Sequence, residues 1–220
     1  MSQTLFVTGT DTDAGKTVVS CALLRGLSAA RIAACGFKPV ASGAEPSAQG
    51  LANADALALR AASAPGASLA EINPVLFAPA IAPHLAAQAA GQPIDPALLT
   101  RAHAELAGRY RVIVVEGAGG WLTPLGPRLL LGDWVAQQGW PVLLVVRIRL
   151  GCLNHALLTA EAIAARGVRL AGWVANLAPP SSAQAEGMIE TLVAHLGPPL
   201  WRQQAQEAVP KAVISQLFGA

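Results

Sequence analysis

Five apolar runs, each ending in small, polar or charged residues, constrain this chain more than any other feature. They are "TLFVTG" (4–9), "IAACGFKPV" (32–40), "YRVIVVEGAGG" (110–120), "PVLLVVR" (141–147) and "VRLAGWVAN" (168–176). Apolar residues sit side by side in them, as in strands buried on both faces. Helical or Gly-rich stretches follow. A helix is expected from about Lys16 to Ala30, a short one near "LLGDWVAQQG", one in "NHALLTAEAIAARG" ending at Gly167, and one in "APPSSAQAEGMIETLVAHLG". Strands alternating with helices build a parallel sheet covered on each face. The expected fold is therefore α/β, a single domain over residues 1–220. The Ala- and Pro-rich stretch 63–96 is expected as irregular loop plus helix packed on one end.

In such a sheet ligands bind beyond the carboxyl ends of the strands. Five loops should line that crevice: Gly9 to Thr17, Lys38 to Gly43, Glu116 to Gly120, Arg147 to Asn154, and Asn176. The first, "TGTDTDAGKT", has the makings of a phosphate loop. A loop between strand and helix offers backbone N–H groups to phosphate oxygens, and the helix dipole adds to their pull. Lys16 would neutralise β/γ-phosphates, Thr17 would bind Mg²⁺, and Gly15 would let the backbone come close. The spacing departs from G-x-x-x-x-G-K-[ST], because Thr10 stands where glycine is required and Gly9 precedes it. The loop also carries Asp11 and Asp13, which are costly beside polyphosphate. They make sense if one caps the helix, points away, or faces an amine or metal. The loop is expected to touch a second, cationic substrate as well as a nucleotide.

Of the 15 lysines and arginines only Lys16, Lys38 and Lys211 are lysines. Two of these sit at the ends of apparent strands, where a compact ammonium differs from a planar guanidinium. Pro39 fixes the turn after Lys38, placing Lys38 and Ser42 in the crevice. Glu116, at the tip of a buried strand, stands where a Mg²⁺ ligand would sit. The glycines at 117, 119 and 120 leave room for substrate. Asp55 in "NADALALR" reads, from spacing alone, as a helix-capping residue. Gly151 to Asn154 precede a helix and could hold a carboxylate, and His155 reads as structural. No Ser/His/Asp or Cys/His arrangement supports covalent catalysis.

Composition closes other routes. Hydrophobic residues make up 53%, yet the longest apolar run lies near "PVLLVV", far short of a membrane span. No basic segment leading into a long apolar one opens the chain, so no secretory signal is expected. A formal net charge of +2 with scattered arginines gives no nucleic-acid footprint. Cys21, Cys35 and Cys152 have no metal-binding spacing, which favours a reducing, cytoplasmic location.

"VTGTDTDAGKT", "KPVASG", "NADALAL", "NPVLFAPAIAPH", "VEGAGGW", "LGCLNHALLT" and "LAGWVAN" together resemble the dethiobiotin synthetase family, in order from about residue 4 to 177. In that family, deviant members of the P-loop NTPase superfamily, the T-D-T-x-x-G-K-T spacing is the rule. The resemblance implies a P-loop NTPase-like sheet and an ATP-dependent cyclo-ligase of biotin synthesis. Its substrates would be 7,8-diaminononanoate, CO₂ or bicarbonate, and ATP, with Mg²⁺. A carbamate forms on the diamine, ATP phosphorylates it, and the second amine closes the ureido ring. Carried over by residue, Lys38 matches the catalytic lysine, assisted by Lys16 and Thr12. Thr12, Lys38 and Ser42 match contacts to the diamine or carbamate. Thr17, Asp55 and Glu116 match Mg²⁺ ligands, against the capping reading of Asp55. Asp13, Ala14, Gly15, Lys16, Thr17 and Val18 match the nucleotide loop. Asp55, Glu116, Gly117, Ala118, Gly119, Asn176 and Leu177 match further ATP contacts, with Asn176 at the adenine. Leu150, Gly151, Cys152 and Asn154 match the region receiving the substrate carboxylate near a homodimer interface.

The motif match stops after residue 177. "LGPPLWRQQAQEAVP" lacks the family's G-x-[IV]-P segment, and Gly187 stands where some members carry an aromatic. Looser base recognition and a different carboxylate anchor are expected. The rival reading is a nucleotide switch of the partitioning or septum-site type. Those ATPases carry a second lysine inside the loop, and positions 10–14 have none.

Overall fold

A computed structural model describes residues 2–47, 50–177, 183–204 and 207–219. The chain runs β1 (Gln3–Gly9), α1 (Lys16–Ala29), β2 (Ala34–Phe37), β3 (Val40–Ala41), β4 (Glu45–Ser47), β5 (Gly50–Ala52) and α2 (Ala54–Ala62). It continues through α3 (Leu69–Ile72), β6 (Val75–Leu76), α4 (Pro83–Ala89), α5 (Pro96–Ala107), β7 (Val112–Glu116), β8 (Pro124–Gly126) and β9 (Leu129–Leu130). Then follow α6 (Leu131–Gln138), β10 (Val142–Arg147), α7 (Cys152–Ala164), β11 (Leu170–Asn176), α8 (Ala185–Leu196), β12 (Trp201–Gln203) and α9 (Lys211–Phe218).

The principal sheet has the order β12-β11-β10-β1-β7-β2, and every neighbouring pair is parallel. β1 lies between β7 and β10, with Phe6 opposite Val115 on one side and Val142 on the other. Both faces of the central strands are buried, which is why residues 112–116 and 142–146 carry no alternation. α1 packs on β2 and β7 beneath α2 and α9, so Val19, Leu23, Leu24 and Leu27 are all buried. On the other side of the chain's path, Trp134 meets Trp140 edge-on at 5.1 Å.

Four details differ from the sequence reading. The sheet has a sixth strand, Trp201–Gln203, paired to Val174–Asn176. The run 32–40 is two strands, because Lys38 leaves the sheet and Pro39 has no N–H to extend the ladder. α7 ends at Ala164, and the chain reverses through Gly167 at φ 66. Within 63–96, α3, β6 and α4 are regular, with α3 closed by a Ser68/Glu71 capping box. Residues 178–182, in the segment expected to lead into the last helix of the reading, lie outside the described residues.

Candidate active site

The carboxyl ends of β1, β2, β7, β10 and β11 bring the expected loops to one edge of the sheet. The phosphate loop leaves β1 at Gly9, whose position answers the spacing problem. A Cβ there would lie 2.8 Å from Ala14 Cβ and 3.2 Å from Lys16 Cγ, because the loop folds back over the strand end. Position 10 has no such crowding, and Thr10 N–H simply donates to the Val145 carbonyl. Gly15 stands just before α1 at φ 95, a conformation that favours glycine. A Cβ there would collide with Asn176 Nδ2. That amide donates to the Ala14 carbonyl at 2.8 Å, so β11 braces the loop from outside.

Asp13 sits at φ 60, exposed, with its carbonyl 3.5 Å from Arg147 Nη1. Asp11 points to the substrate side, where it lines the cleft and lies 3.8 Å from Arg149. Of the two acids, Asp11 is the one placed to meet a cation. Lys16 is 7% exposed and donates to the Asp11 carbonyl at 3.1 Å. Burial, reinforced by repulsion from Lys38, pulls its pKa down to about 8.

Lys38 anchors the other half of the site. It is 3% exposed, and its Nζ lies 2.7 Å from Glu116 Oε1 and 2.9 Å from Asp55 Oδ2. Burial opposes its charge, but the two carboxylates outweigh burial and hold its pKa above the ordinary lysine value. Burial would raise the Asp55 pKa, and Lys38 instead brings it below the usual range. The Thr17 hydroxyl is 2.8 Å from Asp55 and 2.9 Å from Glu116, within donating reach of either. Asp55 is free for this because Asn53 caps α2, accepting from the N–H groups of Asp55 and Ala56. The capping reading of Asp55 is thus two positions off.

Hard oxygens from Thr17, Asp55 and Glu116 converge here, and Glu116 Oε2 is buried with no partner among the described residues. An oxygen-only set with spare acceptor capacity fits Mg²⁺ chemistry. Gly117 packs with a would-be Cβ 2.8 Å from Phe6, so the loop after β7 lies flat against β1.

Next to this cluster is a cleft of about 590 Å³. Asp11, Thr12, Lys38, Ser42, Asp55 and Gly119 all line it. Another wall is Ala80 to Pro83 at the start of α4, part of the motif "NPVLFAPAIAPH", which carries no site role in the sequence reading because no chemical residue type marks it. Asn53 was equally hidden, though an Asn two residues before an acid at a helix start is a recognisable cap. Val18 lies exposed on the first turn of α1, and the Leu177 N–H is held by the Gln203 carbonyl. Leu150, Gly151, Cys152 and Asn154 are not among the lining residues of the cleft. Leu150 is 97% exposed, Cys152 is buried, and Asn154 is exposed on α7. Gly187 is exposed on α8.

A family model described as an AAA domain matches residues 3–204. The ATP-dependent dethiobiotin synthetase BioD 1 of Escherichia coli (strain K12) is 48% identical over 189 residues, 86% of this chain and 84% of its own. The ATP-dependent dethiobiotin synthetase BioD of Pseudomonas aeruginosa (strain UCBPP-PA14) is 47% identical over 215 residues, 96% of this chain and 94% of its own. A match of 215 residues necessarily runs past residue 177, so the likeness does not end where the recognisable motifs do. Among solved structures, a ParA family ATPase from Chlorobium tepidum TLS aligns with TM-score 0.56 and 14% identity, covering 100% of this chain and 90% of that one. The septum site-determining protein MinD from Pyrococcus horikoshii OT3 aligns with TM-score 0.57 and 14% identity, covering 97% and 85%. At that identity the likeness is one of fold alone.

Proposed function

The chain belongs to the family of ATP-dependent dethiobiotin synthetases, with an AAA domain over most of its length, and we propose that its crevice closes the ureido ring of dethiobiotin. The substrate is 7,8-diaminononanoate. One amine takes up CO₂ as a carbamate, and a carbamate oxygen attacks the γ-phosphorus of ATP, releasing ADP. The second amine then attacks the carbamoyl carbon, loses a proton and expels phosphate. The ring forms with no enzyme nucleophile.

The observation that carries this reading is the place of Lys38. Its buried ammonium lies on the wall between the phosphate loop and the cleft lined by Thr12 and Ser42. Both the carbamate and the γ-phosphate are anionic, and bringing them together needs fixed positive charge in a dry site. Lys16 meets the β/γ-phosphates and Lys38 the reacting oxygens. Thr12 and Ser42 orient the diamine, and Asp11 offers its carboxylate to the free ammonium. Asp13 to Val18 hold the polyphosphate, with Gly117 to Gly119, Asn176 and Leu177 along the nucleotide. Thr17, Asp55 and Glu116 would hold Mg²⁺, which supplies positive charge to the polyphosphate when bound. These groups act by positioning and charge.

The reading extends to a homodimer in the cytoplasm. Leu150 to Asn154 lie off the cleft of their own chain, as expected if they receive the carboxylate of a substrate held by a second copy. All three cysteines are free and buried, in keeping with a reducing compartment. Among the described residues no helix is long and apolar enough to cross a membrane.

The test is phosphate release measured with each substrate omitted in turn, with dethiobiotin identified by mass. Release is expected only with ATP, bicarbonate and diaminononanoate together. Equal ATP turnover without the diamine would sink the synthetase reading.

A further inference from the structure

The carbonyl of Lys38 accepts a hydrogen bond at 2.8 Å from a buried side-chain amide, that of Asn73. Asn73 is 5% exposed and lies just after α3, outside the cleft. The same Nδ2 donates its second proton to the Val75 carbonyl at 3.1 Å. The Lys38 N–H meanwhile donates to the Ile72 carbonyl at 2.8 Å. Residues 72 and 73 thus grip the lysine backbone on both sides.

The need for the grip follows from the topology. β2 is an edge strand of the principal sheet, and its last ladder pair is Phe37 with Val115. Lys38 is the first residue beyond the ladder. Pro39 cannot donate, and Pro74, next to Asn73, cannot either. The short parallel pair of β3 and β6 begins only at Val40 and Val75. Between the two pairings, the side-chain amide supplies the hydrogen bonds that two prolines withhold. Its orientation is fixed, since the flipped amide would set Oδ1 against two carbonyl oxygens. Asn73 Oδ1 has no partner among the described residues. A buried amide kept with one unsatisfied acceptor is a poor choice for stability alone.

We propose that Asn73 is a positioning residue for the ring-closing reaction, holding the Lys38 backbone so that Nζ points at the reacting oxygens. The proposal rests on the reading of Lys38 given above. Asn73 is anchored in turn through α3, whose Glu71 accepts from Arg109 at 2.6 Å, and through its own N–H to the Leu69 carbonyl at 2.8 Å.

The experiment compares Asn73→Ala and the shape-preserving Asn73→Asp in the wild-type and Lys38→Arg backgrounds, reading kcat, KM for the diamine, and the Kd of ATP by calorimetry. Either Asn73 variant is expected to lower kcat by roughly 10- to 100-fold while the ATP Kd stays within about twofold, a misplacement effect. In the Lys38→Arg background the further loss should shrink to about twofold, because both changes act through one group. Wild-type kcat in either folded variant overturns the proposal. So does an Asn73 effect of equal size in both backgrounds, or a parallel loss of ATP affinity. If Lys38→Arg itself turns over at the wild-type rate, the role of Lys38 fails and the grip fails with it. If Lys38→Arg is impaired and the Asn73 variants are not, the grip alone fails.

Discussion

Gly15 shows how one missing side chain serves two neighbours. Its φ of 95 would strain any other residue by about 1–2 kcal/mol. The Cβ of an alanine would also displace the Asn176 amide from the Ala14 carbonyl, a bond worth about 1 kcal/mol. Gly15→Ala is therefore expected to weaken ATP binding at least about tenfold, measured by calorimetry. Adding Asn176→Ala removes the collision and leaves the strain, so it should not restore full affinity. Tight ATP binding by Gly15→Ala alone would refute this account of the brace. Lys38 is a second case. It is also the counter-ion of the fully buried Glu116, a role in the fold beside the one proposed for it in the chemistry. Lys38→Gln should abolish turnover and also lower stability by roughly 3–5 kcal/mol, since it strands a buried charge.

Among the elements, α5 carries a titratable group that the chemistry does not use. His103 is 9% exposed, packed 4.3 Å from the Trp140 ring and 2.9 Å from Thr4 Oγ1. Burial pushes its pKa down to about 4. The unfolded chain then binds more protons than the folded one between about pH 6.5 and 4, so stability is full above 6.5 and falls as pH drops through that window. The loss amounts to roughly 3 kcal/mol. Denaturant titrations of the wild type and His103→Gln across pH 4.5–7 should differ in slope, with the Gln variant flatter. Matching slopes would mean that the imidazole takes up its proton alike in the folded and unfolded chain.

The same scale shows what the sequence made legible. The central strands were plain because burial on both faces leaves unbroken apolar runs. β12 was not, because an edge strand of three residues with an exposed arginine carries no period to detect. The site followed the same division. Lys38 and Glu116 sit at strand ends that the apolar runs locate, and Lys16 and Thr17 open the helix that follows the first of those runs. Asp55 was ambiguous because capping and coordination place an acid at the same helix start, and only the folded chain shows Asn53 taking the cap. Ala80 to Pro83 act as a wall through shape alone, which residue type does not encode.

At the scale of the whole molecule, several large apolar side chains are left in solvent. Leu150 is 97% exposed, Leu158 56% and Leu122 44%. Leu122 and Leu158 line a groove of about 460 Å³ that shares Asp11 with the cleft lined by Thr12, Lys38 and Ser42. If a second copy covers Leu150, its burial contributes about 2 kcal/mol on each side. A two-fold interface counts it twice. Leu150→Glu should then weaken self-association by at least about 100-fold. Sedimentation is expected to show a wild-type dimer and a variant shifted toward monomer. The KM for the diamine should rise while ATP affinity holds. A monomeric wild type with full activity would remove the second copy from the mechanism.

The crowding at Gly9 also bears on descent. A more typical phosphate loop carries its first glycine one place later, where this chain has Thr10. Thr10→Gly would supply that glycine in one replacement. The glycine at 9 could not then be given up, because a side chain there meets Ala14 and Lys16. A glycine at 10 leaves that crowding in place. Gly9 is tied to the path of the loop over the end of β1, and it would persist as a heritable mark after the surrounding sequence has drifted.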